Sequence, residues 1–208
     1  YHCFGCGAHG DVIGFVMRHD NLSFPEAVEG LAAQAGLQMP EQKPQDVEKA
    51  RRQRDLYAVL EETTRYFLSV LHEAKEGREA FDYLVKRGLN EETIHAFRIG
   101  FAPEDGQALR SCLKSKGFTD KDMMEAGVIK VSTKGREPYA FFRGRVMFPV
   151  CDRRGRVVAF GGRVLPEHMR PPSRSDFTPP KYINSADMPL FDKGRLLYAE
   201  KPARQAAR

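Results

Sequence analysis

Apolar residues recur three and four positions apart over one long stretch of the chain. Leu56, Val59, Leu60, Thr63, Phe67, Val70, Leu71 and Ala74 fall on one stripe, so the spacing predicts a long amphipathic helix from Asp46 to about Ala74. Upstream, Asp11 to His19 predicts a short helix with Ile13, Phe15, Val16 and Met17 as its apolar content. Ser23-Phe24-Pro25-Glu26 is a capping-box pattern with proline in the first turn; the helix it opens stops at Gly36. Polar, proline-bearing residues from Pro40 to Pro44 mark a linker. Downstream, helices are predicted over Arg78–Lys86 and from Asn90 to about Phe97, then a strand over Arg98–Ala102. Helices over Gln107–Lys116 and Thr119–Glu125 follow, with Gly88, Gly117 and Gly127 as stops.

The texture then changes. Val128–Ser132, Val146–Val150 and Arg156–Phe160 are short strand candidates, the last two flanking an Asp152–Gly155 hairpin loop. Pro166–Pro180 is a proline-, serine- and arginine-rich loop, Lys181–Phe191 is irregular, and Lys193 to Arg208 ends helical. A helical set followed by a small mixed sheet is an α+β pattern.

The 208 residues are 41% hydrophobic and 29% charged, which excludes a wholly disordered chain. No apolar run approaches the roughly 18 residues of a membrane span, and no signal peptide is visible. Four cysteines do not make a disulfide scaffold, and a reducing compartment fits them better. The chain opens at Tyr1 rather than methionine and closes inside a helical pattern, so a fragment is expected. Net charge is +5, but residues 141–208 hold 14 Lys/Arg against 6 Asp/Glu, a regional +8. Such an excess suits a polyanion partner, or simply a solvated surface.

Four features carry candidate chemistry. Cys3-Phe4-Gly5-Cys6, followed by Gly7, reads as half of a tetrahedral zinc ribbon, with a redox pair or an incidental pair as alternatives. Only two ligands are convincing; His2 and His9 rank below them. Arg143, Arg145, Arg153, Arg154, Arg156 and Arg163 decorate the hairpin, and Gly161-Gly162 permits close approach of a ligand. Guanidinium forks suit phosphate oxygens, although an arginine-rich edge strand that blocks aggregation has the same composition. Lys181, with Asn184, and Lys193, with Arg195, sit in irregular backbone near polar groups. Lys86-Arg87-Gly88-Leu89 reads first as a helix C-terminus and second as a ligand contact. No Walker A loop, no H-E-x-x-H, no G-x-S-x-G and no dinucleotide fingerprint is present.

Taken in order, these strings resemble bacterial DNA primases. YHCFGCGAHGDVIGF resembles the second half of that family's amino-terminal zinc-binding domain. KRGL, IGFAP, RVMFP, GRVVAFGGRVL, PKYINS and LFDKGRLLY resemble its RNA polymerase domain. The resemblance spans nearly the whole chain. It implies the carboxy-terminal part of a zinc ribbon over residues 1–39, a linker over 40–45, and the amino-terminal subdomain of the polymerase domain over 46–208. It implies that Cys3 and Cys6 are two of four Zn²⁺ ligands. A nucleic-acid- or nucleotide-binding face is implied at Arg87, Arg143, Arg145, Arg163, Lys181, Asn184, Lys193 and Arg195. The carboxylates that hold Mg²⁺ belong to a TOPRIM subdomain expected beyond Arg208, so this stretch is expected to be inactive alone. The implied reaction is synthesis of short RNA primers on single-stranded DNA from ribonucleoside triphosphates. A replicative helicase is implied as partner, with a monomeric, cytoplasmic protein and no membrane contact. A non-catalytic zinc- and single-stranded-DNA-binding module derived from a primase is the alternative, and a thiol redox protein a third reading.

Overall fold

The computed structural model describes residues 1–5, 7–20, 22–37, 44–131, 137–170 and 178–207. The chain forms two units, Tyr1–Glu48 and Lys49–Arg208. The expected linker falls mainly at residues 40–43, outside the described residues.

In the first unit, Tyr1–Gly10 doubles back on itself: the Tyr1 amino group donates to the Gly10 carbonyl at 2.7 Å, and Cys3 N–H to the Ala8 carbonyl at 2.7 Å. Helix α1 (Val12–His19) starts where the Asp11 carboxylate accepts from Gly14 N–H at 2.7 Å. Helix α2 (Phe24–Gln34) opens on the expected capping box, in which Glu26 accepts from Ser23 N–H at 2.8 Å.

In the second unit the apolar stripe of α3 (Pro44–Glu73) is the inner face of the core. Leu56, Val59, Leu60, Phe67 and Leu71 are buried. Thr63 and Thr64 are buried too, and each hydroxyl donates to the carbonyl four residues back at 2.8 Å, so neither is left unsatisfied. Helices α4 (Lys75–Lys86) and α5 (Glu91–Ala96) follow, then β1 (Gly100–Ala102), α6 (Ala108–Ser115) and α7 (Asp120–Glu125). A two-stranded sheet pairs β2 (Ile129–Lys130) with β3 (Tyr139–Ala140). The main sheet adds β4 (Arg145–Cys151), β5 (Val157–Val164) and β6 (Tyr182–Asn184), in the antiparallel order β1-β4-β5-β6. Helix α8 (Glu200–Ala206) closes the described chain.

Register decides what each face of that sheet meets. Phe148 pairs with Gly161, which pairs with Asn184; Val146 pairs with Arg163, which pairs with Tyr182. Because side chains alternate, these residues share one face, and Met147, Phe160, Gly162 and Ile183 share the other. The second face packs on α3, where the Phe67 and Phe160 rings meet edge-on at 5.6 Å. A bulge between Val150 and Cys151 sets Val158 and Ala159 together on the first face and leaves Val157 and Phe160 in the main core.

Three differences from expectation have local causes. Arg98 does not begin a strand: it has φ +53 and forks onto Glu61 at 2.7 and 3.0 Å, ending α5. β5 extends through the double glycine because its β4 and β6 partners continue alongside. β6 and β3 are too short for a periodic signal and exist through their partners alone.

Ion pairs fasten the helical part. The Arg110 fork on Asp120 (2.8 and 2.9 Å) holds that carboxyl at about 2. Lys116 lowers Glu62 chiefly by hydrogen bonding, and Arg52 lowers Glu125 in the same way. A carboxyl lowered on folding stabilises the fold above its unfolded pKa, and that contribution is lost as pH falls through the folded value. The melting temperature is therefore expected to be level from pH 7 to 5 and to drop between about pH 4 and 2. Asp120→Asn should flatten part of that drop; an identical acid profile for the variant would sink the assignment.

Candidate nucleic-acid interface

The first face of the main sheet is covered at one end and open at the other. Phe101 and Val146 are covered by Leu84 and Ile94 of α4 and α5. Beyond them a cavity of about 440 Å³ opens, lined by Phe148, Val150, Gly161, Tyr182, Asn184, Phe191, Lys193, Leu196 and Tyr198 among others. That volume is in the range of small-molecule sites. Gly161 makes part of the floor: a Cβ there would stand 3.1 Å from the Asn184 Oδ1.

The strand β6 displays Tyr182 and Asn184 on this face and sends Ile183 to the core. Ser185 latches it: the buried hydroxyl accepts from Phe160 N–H at 3.0 Å, and its own N–H donates to the Phe160 carbonyl at 2.9 Å. Lys193 is set by a loop in which its N–H donates to the Asp187 carboxylate at 3.0 Å. Phe191, tied to Met188 by two main-chain bonds of 2.9 Å, plugs the same loop against the sheet.

A cationic cluster borders the cavity. The Arg163 guanidinium lies 5.1 Å from the Tyr83 ring and 5.9 Å from the Tyr182 ring. It donates to both hydroxyls, at 3.3 Å to Tyr182 and in a short contact to Tyr83. Lys181 Nζ is 5.8 Å from the Tyr182 ring. The Arg163 hydrogen bond lowers the Tyr182 phenol pKa, and the charges of Arg163, Lys181 and Arg87 lower it further. Arg87 is the C-cap of α4, with Gly88 at φ +90 and the Leu89 N–H returning to the Leu84 carbonyl at 3.1 Å. The helix C-terminus reading of the KRGL string is what the structure shows.

The expected site residues divide accordingly. Arg163 and Lys181 stand beside Tyr182, Arg87 caps α4, and Asn184 and Lys193 line the cavity. Arg195 is exposed on the Lys193 loop and pairs with Asp192 at 3.3 Å. Arg143 is exposed, with its guanidinium 5.3 Å from the ring of Tyr139 on β3. Arg145 corrects the expectation of a surface cation: it is 4% exposed on the core-facing side of β4, and it donates to main-chain carbonyls. Cys3 lies in the first unit's turn, where the Gly7 N–H donates to the Cys3 carbonyl at 2.9 Å and Gly7 takes φ +73. Cys6 lies outside the described residues. Sequence reasoning missed Tyr83, one helical turn before Arg87; an aromatic at that spacing from a basic cap was the available signal.

The family described as DNA primase catalytic core, N-terminal domain, matches residues 66–204. The chain belongs to the bacterial DNA primase family. The CHC2 zinc finger family matches residues 1–47 of this primase-family chain. A DNA primase of Pseudomonas putida is 41% identical over 207 residues, covering 99% of this chain and 30% of that protein. One from Deinococcus radiodurans is 42% identical over 204 residues, covering 98% and 32%. The chain thus spans about a third of the length of these primases. Among solved structures, a DnaG primase catalytic domain bound to ssDNA aligns with TM-score 0.61 and 35% identity, over 76% of this chain and 45% of that one. The zinc-binding and RNA polymerase domains of the Aquifex aeolicus primase align over 99% of this chain and 46% of that one, with TM-score 0.63 and 32% identity.

Proposed function

We propose that this chain supplies the template- and nucleotide-holding surface of a DNA primase, an enzyme making short RNA primers on single-stranded DNA. One observation carries the reading: Arg163 and Lys181 stand beside Tyr182 at the rim of a cavity that Asn184 and Lys193 also line. Guanidinium and ammonium groups hold phosphates, and exposed Tyr182 offers a ring on which a base can stack. The cavity suits a ribonucleoside triphosphate, with its apolar wall of Phe148, Leu196 and Tyr198 beside Lys193. The residues hold and orient phosphates and offset negative charge developing on them.

Cys3 and Cys6 fit two of the four thiolate or imidazole ligands of a zinc site. Gly5 lies beside the Cys3 thiol, where a Cβ would be 4.0 Å from Sγ, at ordinary contact distance. Zinc would supply a structural crosslink there. Among the described residues no group of three His, Cys, Asp or Glu side chains is placed to hold a metal ion. The same reading assigns Mg²⁺ to the carboxylates of a TOPRIM subdomain, and includes a replicative helicase as partner and the cytoplasm as the place of work. Among the described residues no helix is long and apolar enough to cross a membrane.

With four phosphates held by Arg87, Arg163, Lys181 and Lys193, log affinity for single-stranded DNA should fall against log salt with a slope of about −3. Fluorescence anisotropy with a labelled oligonucleotide measures it. An affinity indifferent to salt would remove the reading.

A further inference from the structure

Arg145 is a costly residue to bury, and its contacts show what it does. It is 4% exposed. Burial lowers its pKa; the carboxylate of Glu104 opposes that shift and the charge of Arg170 adds to it. Its Nη1 donates to the Pro180 carbonyl at 2.9 Å and reaches the Lys181 carbonyl at 3.5 Å. The Lys181 carbonyl also accepts from Val164 N–H at 3.0 Å.

The route of the side chain is specific. Arg145 is on the core-facing side of β4, opposite the side on which Tyr182 and Arg163 stand. Its stem crosses β5 at Gly162, where a Cβ would lie 3.1 Å from the Arg145 Cδ. The second glycine of the double-glycine string is therefore the gap through which this side chain reaches the chain entering β6. Filling the space with an apolar side chain of similar length would avoid the desolvation cost of a guanidinium. What an apolar side chain cannot supply is a donor aimed at the carbonyls of the Pro180–Lys181 step.

We infer that Arg145 is a positioning residue: from beneath the sheet it pins the Pro180–Lys181 backbone and so fixes where the Lys181 ammonium meets phosphate. The inference rests on the proposed role of Lys181 in holding nucleic acid. It assigns Arg145 no contact with that ligand. Two cations of the basic hairpin are thus divided between the tasks: Arg163 faces outward, and Arg145 sets the place of a third.

The test uses the full chain with Arg145→Met, Arg145→Lys, Lys181→Ala and the Arg145→Met/Lys181→Ala double variant. Trypsin reads the backbone directly at the Lys181–Tyr182 bond. Arg145→Met should speed that cleavage about tenfold, the loss of hydrogen bonds from a charged donor, with cleavage after Lys86 and Arg87 unchanged. Arg145→Lys keeps the charge without the fork and should fall between. Anisotropy reads the consequence. Arg145→Met should flatten the salt slope by about 0.7, as Lys181→Ala does, and the double variant should bind no more weakly than Lys181→Ala. A role in packing alone would instead give additive losses and leave the slope unchanged, and that result overturns the inference. So does cleavage of folded Arg145→Met at the wild-type rate. If Arg145→Met does not fold by circular dichroism, Arg145→Lys decides, and a wild-type cleavage rate in it is equally fatal. Wild-type protein that lacks salt-sensitive binding would sink the proposed function, while the trypsin result would still decide whether Arg145 pins the loop.

Discussion

Gly77→Ala is expected to lower the melting temperature of the second unit by roughly 6–12 °C. Gly77 is buried in the first turn of α4, against the last turn of α3. A Cβ there would lie 1.8 Å from the Val70 carbonyl oxygen, 2.7 Å from its carbon and 2.8 Å from the Leu71 Cα. All three are backbone atoms, so no side chain can swing aside and the helices must part. Overpacking of this kind costs about 3 kcal/mol at the upper end of its usual range. One kcal/mol is worth about 2–4 °C in a domain of this size. Alanine gains about 1 kcal/mol over glycine in helix propensity, which is too little to offset the clash. The same shift displaces Tyr83 and Arg87 on α4, so binding of single-stranded DNA should weaken in the variant that remains folded. A thermal melt followed by circular dichroism decides it: an unchanged or raised midpoint would show that the helices have room.

Replacing Arg87, Arg163, Lys181 and Lys193 together by alanine should weaken single-stranded DNA binding by on the order of 1,000-fold at about 50 mM salt. That is the electrostatic part of the affinity with four phosphates held, a slope of about −3 taken from about 1 M down to about 50 mM salt. The variant's own salt dependence should be nearly flat. Arg51→Ala/Arg54→Ala is the control: it removes two exposed cations from α3, outside the cluster, and should leave affinity within about twofold. If the control loses as much as the quadruple variant, binding follows overall charge and the cluster has no special place.

The helices were legible because their signals are local. Ser23, Asn90 and Thr119 cap where the sequence puts a cap, and the α3 stripe is the buried face. The candidate basic residues could be picked out by motif, but their arrangement could not. Nothing in Arg143-Gly144-Arg145 distinguishes an exposed arginine from a buried one. The distinction comes from register: Arg145 pairs with Val164 and is carried to the core side, whereas Arg163, paired with Val146, faces outward. Strand β6 was invisible for a related reason. Its three residues carry no period of their own and are held by β5 and by Ser185. Tyr83 belongs to the site only because α4 is packed over β5, a contact between residues 80 positions apart.

The single extra residue at the Val150/Cys151 bulge gives the hairpin an odd count. Its tip leans on α3, with Arg156 stacked 3.9 Å from the Tyr57 ring, while its other end presents Arg163 to Tyr83 and Tyr182. Deleting Val158 would restore an even count, and one of those two ends would then have to turn over. Lengthening or shortening the tip in steps of two would leave Arg163 on its face. A change of one would need another change of one elsewhere in the hairpin, so the parity of this short segment decides which face its cations take.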